Sequence, residues 1–403
     1  MQDERGKYSM KNDKNQQGYI LVLSLIFISL IVMLATSISF RGRIHTNYAK
    51  LMLDREHAKM LAFSGLQIAM TQLAIQEEQK KGAKAPEKKQ QGQTLRQGAK
   101  APAQDERKKE GQSGKTSALW TEKESKEFVK HIFPVLNNWQ EFKLTTGKYG
   151  VDGVVKICIG SEEGKIDLNQ VFDFDKKKFV GQGQKEGDFK KFFAELFKKM
   201  GKFIKVKELQ KNFEAYLTKK QRFEKILKNR QNRLYDTTEF LGQPGFESFA
   251  DKVFYKPIEI KKGAAKKQKP NIYWTDMFTI WSGAKKINPW VISASLKRIL
   301  GFKDGKVDQR RAKGLVKNFK ANLSFPSDWD KLFAPIFGVK HKDLPKWFAP
   351  LLDTKFGPKV FNVLSYGTAG RVTQKMFAIV ERKKVTRDKK TVVEFEIKKF
   401  YWI

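Results

Sequence analysis

The sequence predicts an α+β protein with one long N-terminal helix, an antiparallel sheet, and a large helical region inserted between the sheet's early and late strands. Three patterns carry that expectation. Apolar residues recur at three- and four-residue steps, with no proline, over residues 19–79. Period-two strand patterns appear in VVKICIG and again near the C-terminus, in KMFAIVER and TVVEFEIKKFYWI. Between them lie amphipathic segments of helical period, of which DFKKFFAELFKKM is the clearest.

The first element is the N-terminal helix. Residues 19–40 carry no charge, and these 22 residues make about 33 Å of helix, enough for a hydrocarbon core of about 30 Å. Arg5, Lys7, Lys11 and Lys14 precede this stretch, and Arg41, Arg43 and Lys50 follow it. Small residues at Ala35, Thr36 and Ser37 loosely suit signal peptidase. Against that reading, the apolar run exceeds a usual signal core and the helical pattern continues past it. Leu51, Leu53, Ala58, Leu61, Ala62, Leu66, Ala69, Met70, Leu73 and Ala74 keep the spacing. One helix over residues 19–79 is the economical reading, membrane-spanning over 19–40.

Residues 80–118 are lysine, glutamine, glycine, alanine and proline, with GAKAP twice. Such a stretch buries too little to offset its ordering entropy and reads as a basic low-complexity linker. Structure resumes at 119 with a short helix in TEKESKEFVKHIFPVLNNW, then a strand carrying Val151, Val154, Val155, Ile157 and Ile159. Further helices are expected over DFKKFFAELFKKM and residues 206–228. The end of the chain reads as a hairpin with KKVTRDKK as its polar loop. The expected division is a leader at 1–18, the helix at 19–79, the linker, a first part of the sheet domain at 119–163, a helical insert at 164–352, and closing strands at 353–403.

The chain has 403 residues, with 80 Lys and Arg against 43 Asp and Glu, for a net charge of +37. That charge raises nucleic acid as a partner, because basic side chains displace counterions condensed on phosphates. The lysines are nevertheless spread along the whole chain and interleaved with acids, which is the pattern of solvated faces. Cys158 is the sole cysteine, which excludes an intrachain disulfide and a cysteine-rich zinc site. His45, His57, His131 and His341 show no ligand spacing, and no HExxH, GxSxG or Walker A pattern occurs. No catalytic, cofactor or metal residue is therefore assigned, and no enzyme is expected. Gly181, Gly183 and Gly187 read as a turn. Carboxylates gather at Glu162, Glu163 and Asp167 and at Asp173 and Asp175. A solvated turn is the expectation there, with calcium as the alternative.

A leader ending in Gly18, an apolar helix starting at Tyr19, and an amphipathic continuation together resemble the type IV pilin and pseudopilin class. Most members carry a glutamate five residues past the cut, where this chain has Leu23. That departure fits the K-type minor pseudopilins of type II secretion, and an apolar residue avoids a buried carboxylate in the bilayer. SEEGKIDLNQVF resembles their most characteristic stretch, with Gly164, Lys165, Ile166, Leu168 and Asn169 matching and Asp167 in place of asparagine. RLYDTTEFLGQPGF resembles the family's helix-hairpin-helix-like turn. WTDMFTIWSGAKKINP resembles its second signature, which implies an aromatic strand in WTDMFTIW leading into Lys286, Ile287, Asn288 and Pro289 and a helix. Asp167 and Asn288 are suited to cap the helices that follow them.

The resemblance implies a pilin-like sheet with a SAM-like helical insert, prepilin peptidase processing between Gly18 and Tyr19, and N-methylation. It further implies a bacterial inner-membrane anchor with a periplasmic head. The partners it implies are the I- and J-type minor pseudopilins and the inner-membrane secretion platform. Leu23, Leu51, Ala58, Leu61, Ala62, Leu66, Ala69 and Leu73 would form the assembly face of the helix. The rival reading is a membrane-anchored DNA-binding or DNA-uptake protein of the same class.

Overall fold

The first helix, α1 (Ser9–Ala74), runs 66 residues without a break and divides into two environments. In the computed structural model, which describes residues 9–74, 120–183, 188–224, 233–255, 271–303, 307–387 and 390–403, every side chain from 21 to 53 is exposed. From Ala58 onward one stripe is buried, with Ala58, Ala62, Leu66, Ala69 and Leu73 at zero exposure. These positions recur at three- and four-residue steps, so they lie on one helical face. The expected linker at 80–118, residues 75–79 of the expected helix, and Gly187 lie outside the described residues.

That stripe packs on an antiparallel sheet. The sheet opens with β1 (Trp139–Leu144) and β2 (Gly153–Ser161), then the chain leaves it from Glu162 to Lys359. In that excursion β3 (Ile166–Asp167) pairs in parallel with β4 (Phe278–Thr279). The longer helices of this region are α3 (Phe189–Ile204), α4 (Leu209–Glu224), α5 (Ala294–Leu300) and α6 (Gln309–Lys317). The chain then returns as β5 (Val360–Ala369), β6 (Val372–Arg387) and β7 (Lys390–Trp402). The spatial order is β1-β2-β5-β6-β7. The α+β architecture is therefore a long helix on a five-stranded antiparallel sheet, with a helical insert between the second and third strands in sequence.

The pleat sends alternate side chains to opposite layers. Val155, Ile157, Ile159, Phe361, Val363, Met376, Ala378 and Val380 join the core shared with α1. Cys158, Val360, Leu364, Phe377 and Ile379 instead meet Tyr255, Tyr273 and Ala294 of the insert. The insert's own centre is aromatic. Phe189, Phe192, Phe193, Leu196, Phe197 and Met200 all turn inward from α3, as its spacing predicts, and Phe193 stacks on Phe197, Phe213 and Phe278.

The helix and sheet touch backbone to backbone. Ser365 donates its hydroxyl to the Ala62 carbonyl at 2.7 Å. A Cβ on Gly65 would lie 2.8 Å from Val155 and 2.9 Å from Ile157, and one on Gly367 would strike the Ala58 carbonyl and the Ala62 amide. Small residues are required on both sides of this contact.

Four expectations need correction. The helix beginning after Trp120 is α2 (Glu122–His131), shorter than expected, because Pro134 disfavours helix at the residue before it and Asn137 turns left-handed at φ 58°. Trp139–Leu144 form a strand, of which only Trp139 lay in the expected helix and the rest carried no assignment. WTDM is a helical turn, with strand only at Phe278 and Thr279. KKVTRDKK is mostly strand, since β6 runs to Arg387 and Val385 pairs with Val392. Cross-strand ion pairs of Lys383 with Glu396 and of Arg387 with Glu394 hold that extension.

Gly367→Val tests the close contact. It should destabilise the head by at least about 1–3 kcal/mol through overpacking, read by denaturant unfolding, whereas Gly147→Ala, with nothing within 4 Å, should leave the midpoint in place.

Candidate functional site

Two regions concentrate the features that bear on function: the exposed half of α1, and a buried polar junction where the insert joins the sheet. The most apolar window of α1 has a mean hydropathy of 2.7 and is wholly unburied. It is long and apolar enough to cross a membrane as a single-pass anchor. Ile44, Tyr48, Leu51 and Leu53 extend the exposed apolar surface past Arg41 and Arg43, up to Ala58 where the sheet begins to cover the helix.

The junction is built from residues 161–169. Strand β2 ends in Ser161, and the next two side chains turn inward instead of toward water. Glu163 accepts backbone N–H bonds from Lys359 at 2.7 Å and Val360 at 2.9 Å, plus the Ser161 hydroxyl at 2.9 Å. One carboxylate thereby ties the end of β2 to the start of β5. Glu162 forms a buried ion pair with Lys165 and accepts from the Asn362 amide at 2.8 Å. Burial pushes the Glu163 carboxyl up to about 7, although the two backbone bonds pull against the shift.

The same segment grips the insert. The Asn288 amide donates to the Glu163 carbonyl at 2.9 Å and the Ser293 amide to the Gly164 carbonyl at 3.1 Å. Gly164 is needed because a Cβ there would enter the Val291 carbonyl. Asp167 caps the short helix Leu168–Val171 through the Asn169 amide. It also accepts from the Ser282 hydroxyl at 2.9 Å and the Gly283 amide at 2.8 Å. Burial raises its pKa to about 6, and these bonds oppose that. Asn169 makes a two-bond bridge to the Leu234 backbone at 2.8 and 3.0 Å. Asp276, also buried and shifted upward by burial, accepts from the Ser295 amide at 2.6 Å.

The sequence-predicted residues therefore separate into groups. Gly164, Lys165, Ile166, Leu168 and Asn169 meet at the junction. Asn288 caps the Pro289–Val291 turn through the Trp290 amide at 3.0 Å, and Ile287 bridges to Leu352. Leu23 and Leu51 are exposed, at 43% and 50%. Gly18 and Tyr19 lie within α1, whose backbone starts at Ser9. Two expectations are corrected. Ala58, Leu61, Ala62, Leu66, Ala69 and Leu73 are buried against this chain's own sheet, so that face is not free for a neighbouring subunit. The expected solvated turn at Glu162, Glu163 and Asp167 is a buried network whose oxygens face protein donors. Asp173, by contrast, is partly exposed, and its carboxylate takes the Lys176 amide at 2.9 Å. Among the described residues, no group of three or more His, Cys, Asp or Glu is placed to hold a metal.

A second anchor went unseen in the sequence. Arg382 stacks its guanidinium 3.9 Å from the Trp120 ring and pairs with Glu124 at 2.9 Å, and Lys384 reaches the same carboxylate at 2.8 Å. Burial opposes the charge on Glu124, but bonds from Lys384, Thr121 and Arg382 outweigh it and hold the pKa at about 2. This cluster fixes the point where the chain re-enters the fold at Trp120. Nothing in spacing along the sequence links residue 124 to 382.

No family model and no curated protein matches the chain. Among solved structures the chain is similar to one described as the GspK-GspI-GspJ complex of the type 2 secretion system of enterotoxigenic Escherichia coli. The identity is 10% and the TM-score 0.33, over 65% of this chain and 82% of that one. That score is too low to establish a common fold, so the architecture rests on this chain's own elements.

Lys165→Met leaves Glu162 buried without its cation and should cost about 3–5 kcal/mol in urea unfolding. Replacing both partners by apolar residues should cost less. The junction also sets a pH dependence. Glu163 and Asp167 hold protons in the folded state at pH values where the unfolded chain has released them, so stability falls as pH rises from about 4 to about 7. The melting midpoint should therefore be higher at pH 5 than at pH 7.5, and Glu163→Gln should flatten the slope.

Proposed function

We propose that this chain is a K-type minor pseudopilin of a type II secretion system. It is inserted as a precursor, cut by prepilin peptidase between Gly18 and Tyr19, methylated at the new amino terminus, and placed at the tip of a periplasmic pseudopilus. One observation carries the reading. The exposed apolar half of α1 continues, within one helix, into a half that forms part of the head's core. A membrane-length rod fused rigidly to a sheet domain is what a filament subunit needs, since lateral packing of rods then positions the heads.

In this reading the I- and J-type minor pseudopilins are the neighbours, and the inner-membrane platform is the site of assembly. Because the Ala58–Leu73 stripe is covered by the sheet, rod-to-rod packing uses the exposed surface of residues 21–53 together with the outward side chains of Met60 and Phe63. The insert places Tyr255, Tyr273 and Ala294 on the sheet face opposite α1, and its bulk obstructs a further subunit above the head. The role is one of assembly, without catalysis.

Mass spectrometry of the protein purified from membranes tests the proposal. The N-terminal peptide should begin at Tyr19 and carry one added methyl group, and Gly18→Leu should leave the leader attached. Retention of Met1, or a start near Ile38, would remove the assignment.

A further inference from the structure

The outer strand of the sheet is built like a place for another strand. Strand β7 spans 13 residues, about 43 Å of extended chain, against a usual strand of about five or six. Its inner edge pairs with β6 throughout, and among the described residues its outer edge has no neighbour. It contains no proline and no glycine. A long edge of this kind is ordinarily blunted by proline, lysines or a bulge, or is covered, because its free N–H and C=O groups invite pairing. Here Lys398, Lys399 and one bulge lie near its end, while residues 392–397 pair in unbroken register.

The side chains of β7 add a second feature. A register shift lies between Ile379 and Val380, where Lys398 is the extra residue, since Val380 pairs with Ile397 and Ile379 with Lys399. Phe395, Ile397, Phe400 and Trp402 therefore point to the side on which α1 lies. The close contacts of α1 at Gly153, Ser365 and Gly367 set it chiefly over β2, β5 and β6, and it meets the outer strand only at its margin. Ile397, Phe400 and Trp402 remain 38%, 55% and 46% exposed.

Charge selects among occupants. The two glutamates of β7 are already neutralised, Glu394 by Arg387 and Glu396 by Lys383 and Lys398. Lys399 sits over the Tyr401 ring. A second copy of this chain would bring like charge to like charge. So would the chain's own residues 80–118, which are rich in lysine.

We propose that β7 is a docking edge for an extended, acidic segment of a partner protein, which adds as a sixth strand. Alternate apolar side chains of that segment cover Ile397, Phe400 and Trp402, and its carboxylates lie near Lys399. Main-chain bonds along the edge supply affinity, while the apolar row and the charge supply selectivity. The inference does not depend on the pseudopilin reading.

Hydrogen exchange of the full-length protein in detergent micelles tests it, with a probe peptide of about ten alternating valines and glutamates. The peptide should slow exchange of the amides in residues 394–402 roughly tenfold. A valine and lysine peptide should not. Phe400→Glu with Trp402→Glu should abolish the slowing at an unchanged melting midpoint, and Lys399→Glu should weaken it severalfold. Three results would overturn the proposal: unchanged exchange, equal slowing by the lysine peptide, or protection that persists in the Phe400→Glu, Trp402→Glu variant. Protection that grows with protein concentration and no peptide would assign the edge to a second copy instead. Concentration-independent protection without peptide would assign it to the chain's own residues, and either result also rejects the acidic partner.

Discussion

The rest of the structure depends on how closely α1 approaches β5. A helix normally sits on a sheet at a distance set by its side chains, but Ala58, Ala62 and Gly65 on one side meet Ser365 and Gly367 on the other. The hydroxyl of Ser365 reaches a helical carbonyl directly. With so little material between the two backbones, the sliding and tilting open to a looser interface would produce clashes. The direction of the exposed rod is thus fixed relative to the sheet, and the sheet fixes everything attached to it.

The insert is held by a different kind of contact. Its own core is a set of stacked and edge-on aromatic rings, which stabilise it without specifying how it should face the sheet. Orientation comes from the buried polar network at residues 161–169. Its carboxylates and the nearby Asp276 satisfy donors from different stretches of chain: Glu163 the amides of Lys359 and Val360 at the entry to β5, Asp167 those of the turn after β4, and Asp276 that of α5. Burying these groups costs stability, as their raised pKa values record. In return, the network specifies one arrangement, since moving the insert would strand several buried donors and acceptors at once.

Much of this was legible in the sequence because periodicity survives folding. The apolar steps of α1 and of α3, the alternation in β2, and the capping residues Asp167 and Asn288 are local signals that tertiary context left intact. Misreadings arose where the deciding partner is distant. Strand β1 exists because β2 offers an edge, and Trp139 to Leu144 alone carry a weak pattern. The charged run Lys383 to Lys390 resembles a loop until Glu394 and Glu396 lie across from it. Glu162 and Glu163 looked solvated because a sequence displays their charge and hides Lys165, Asn362 and the amides of Lys359 and Val360 that receive them. At α1 the stripe was read correctly as an apolar face but given to the wrong partner, because an intramolecular sheet and a neighbouring helix demand the same spacing.

That ambiguity has a physical resolution in the length of the helix. From Phe40 to Ala58 the chain rises about 27 Å, so the head stands clear of the end of the membrane-length segment by roughly the thickness of a small domain. The two halves of α1 are consequently not interchangeable. Residues up to about 53 contribute nothing to the core and can be shielded by lipid or by other helices, whereas residues 58–73 are as much a part of the head as any strand. Separating the head from its anchor at any point beyond Ala58 would uncover Val155, Ile157 and Val363 to water. The boundary that matters for folding therefore lies inside the helix, some way beyond the end of its apolar run.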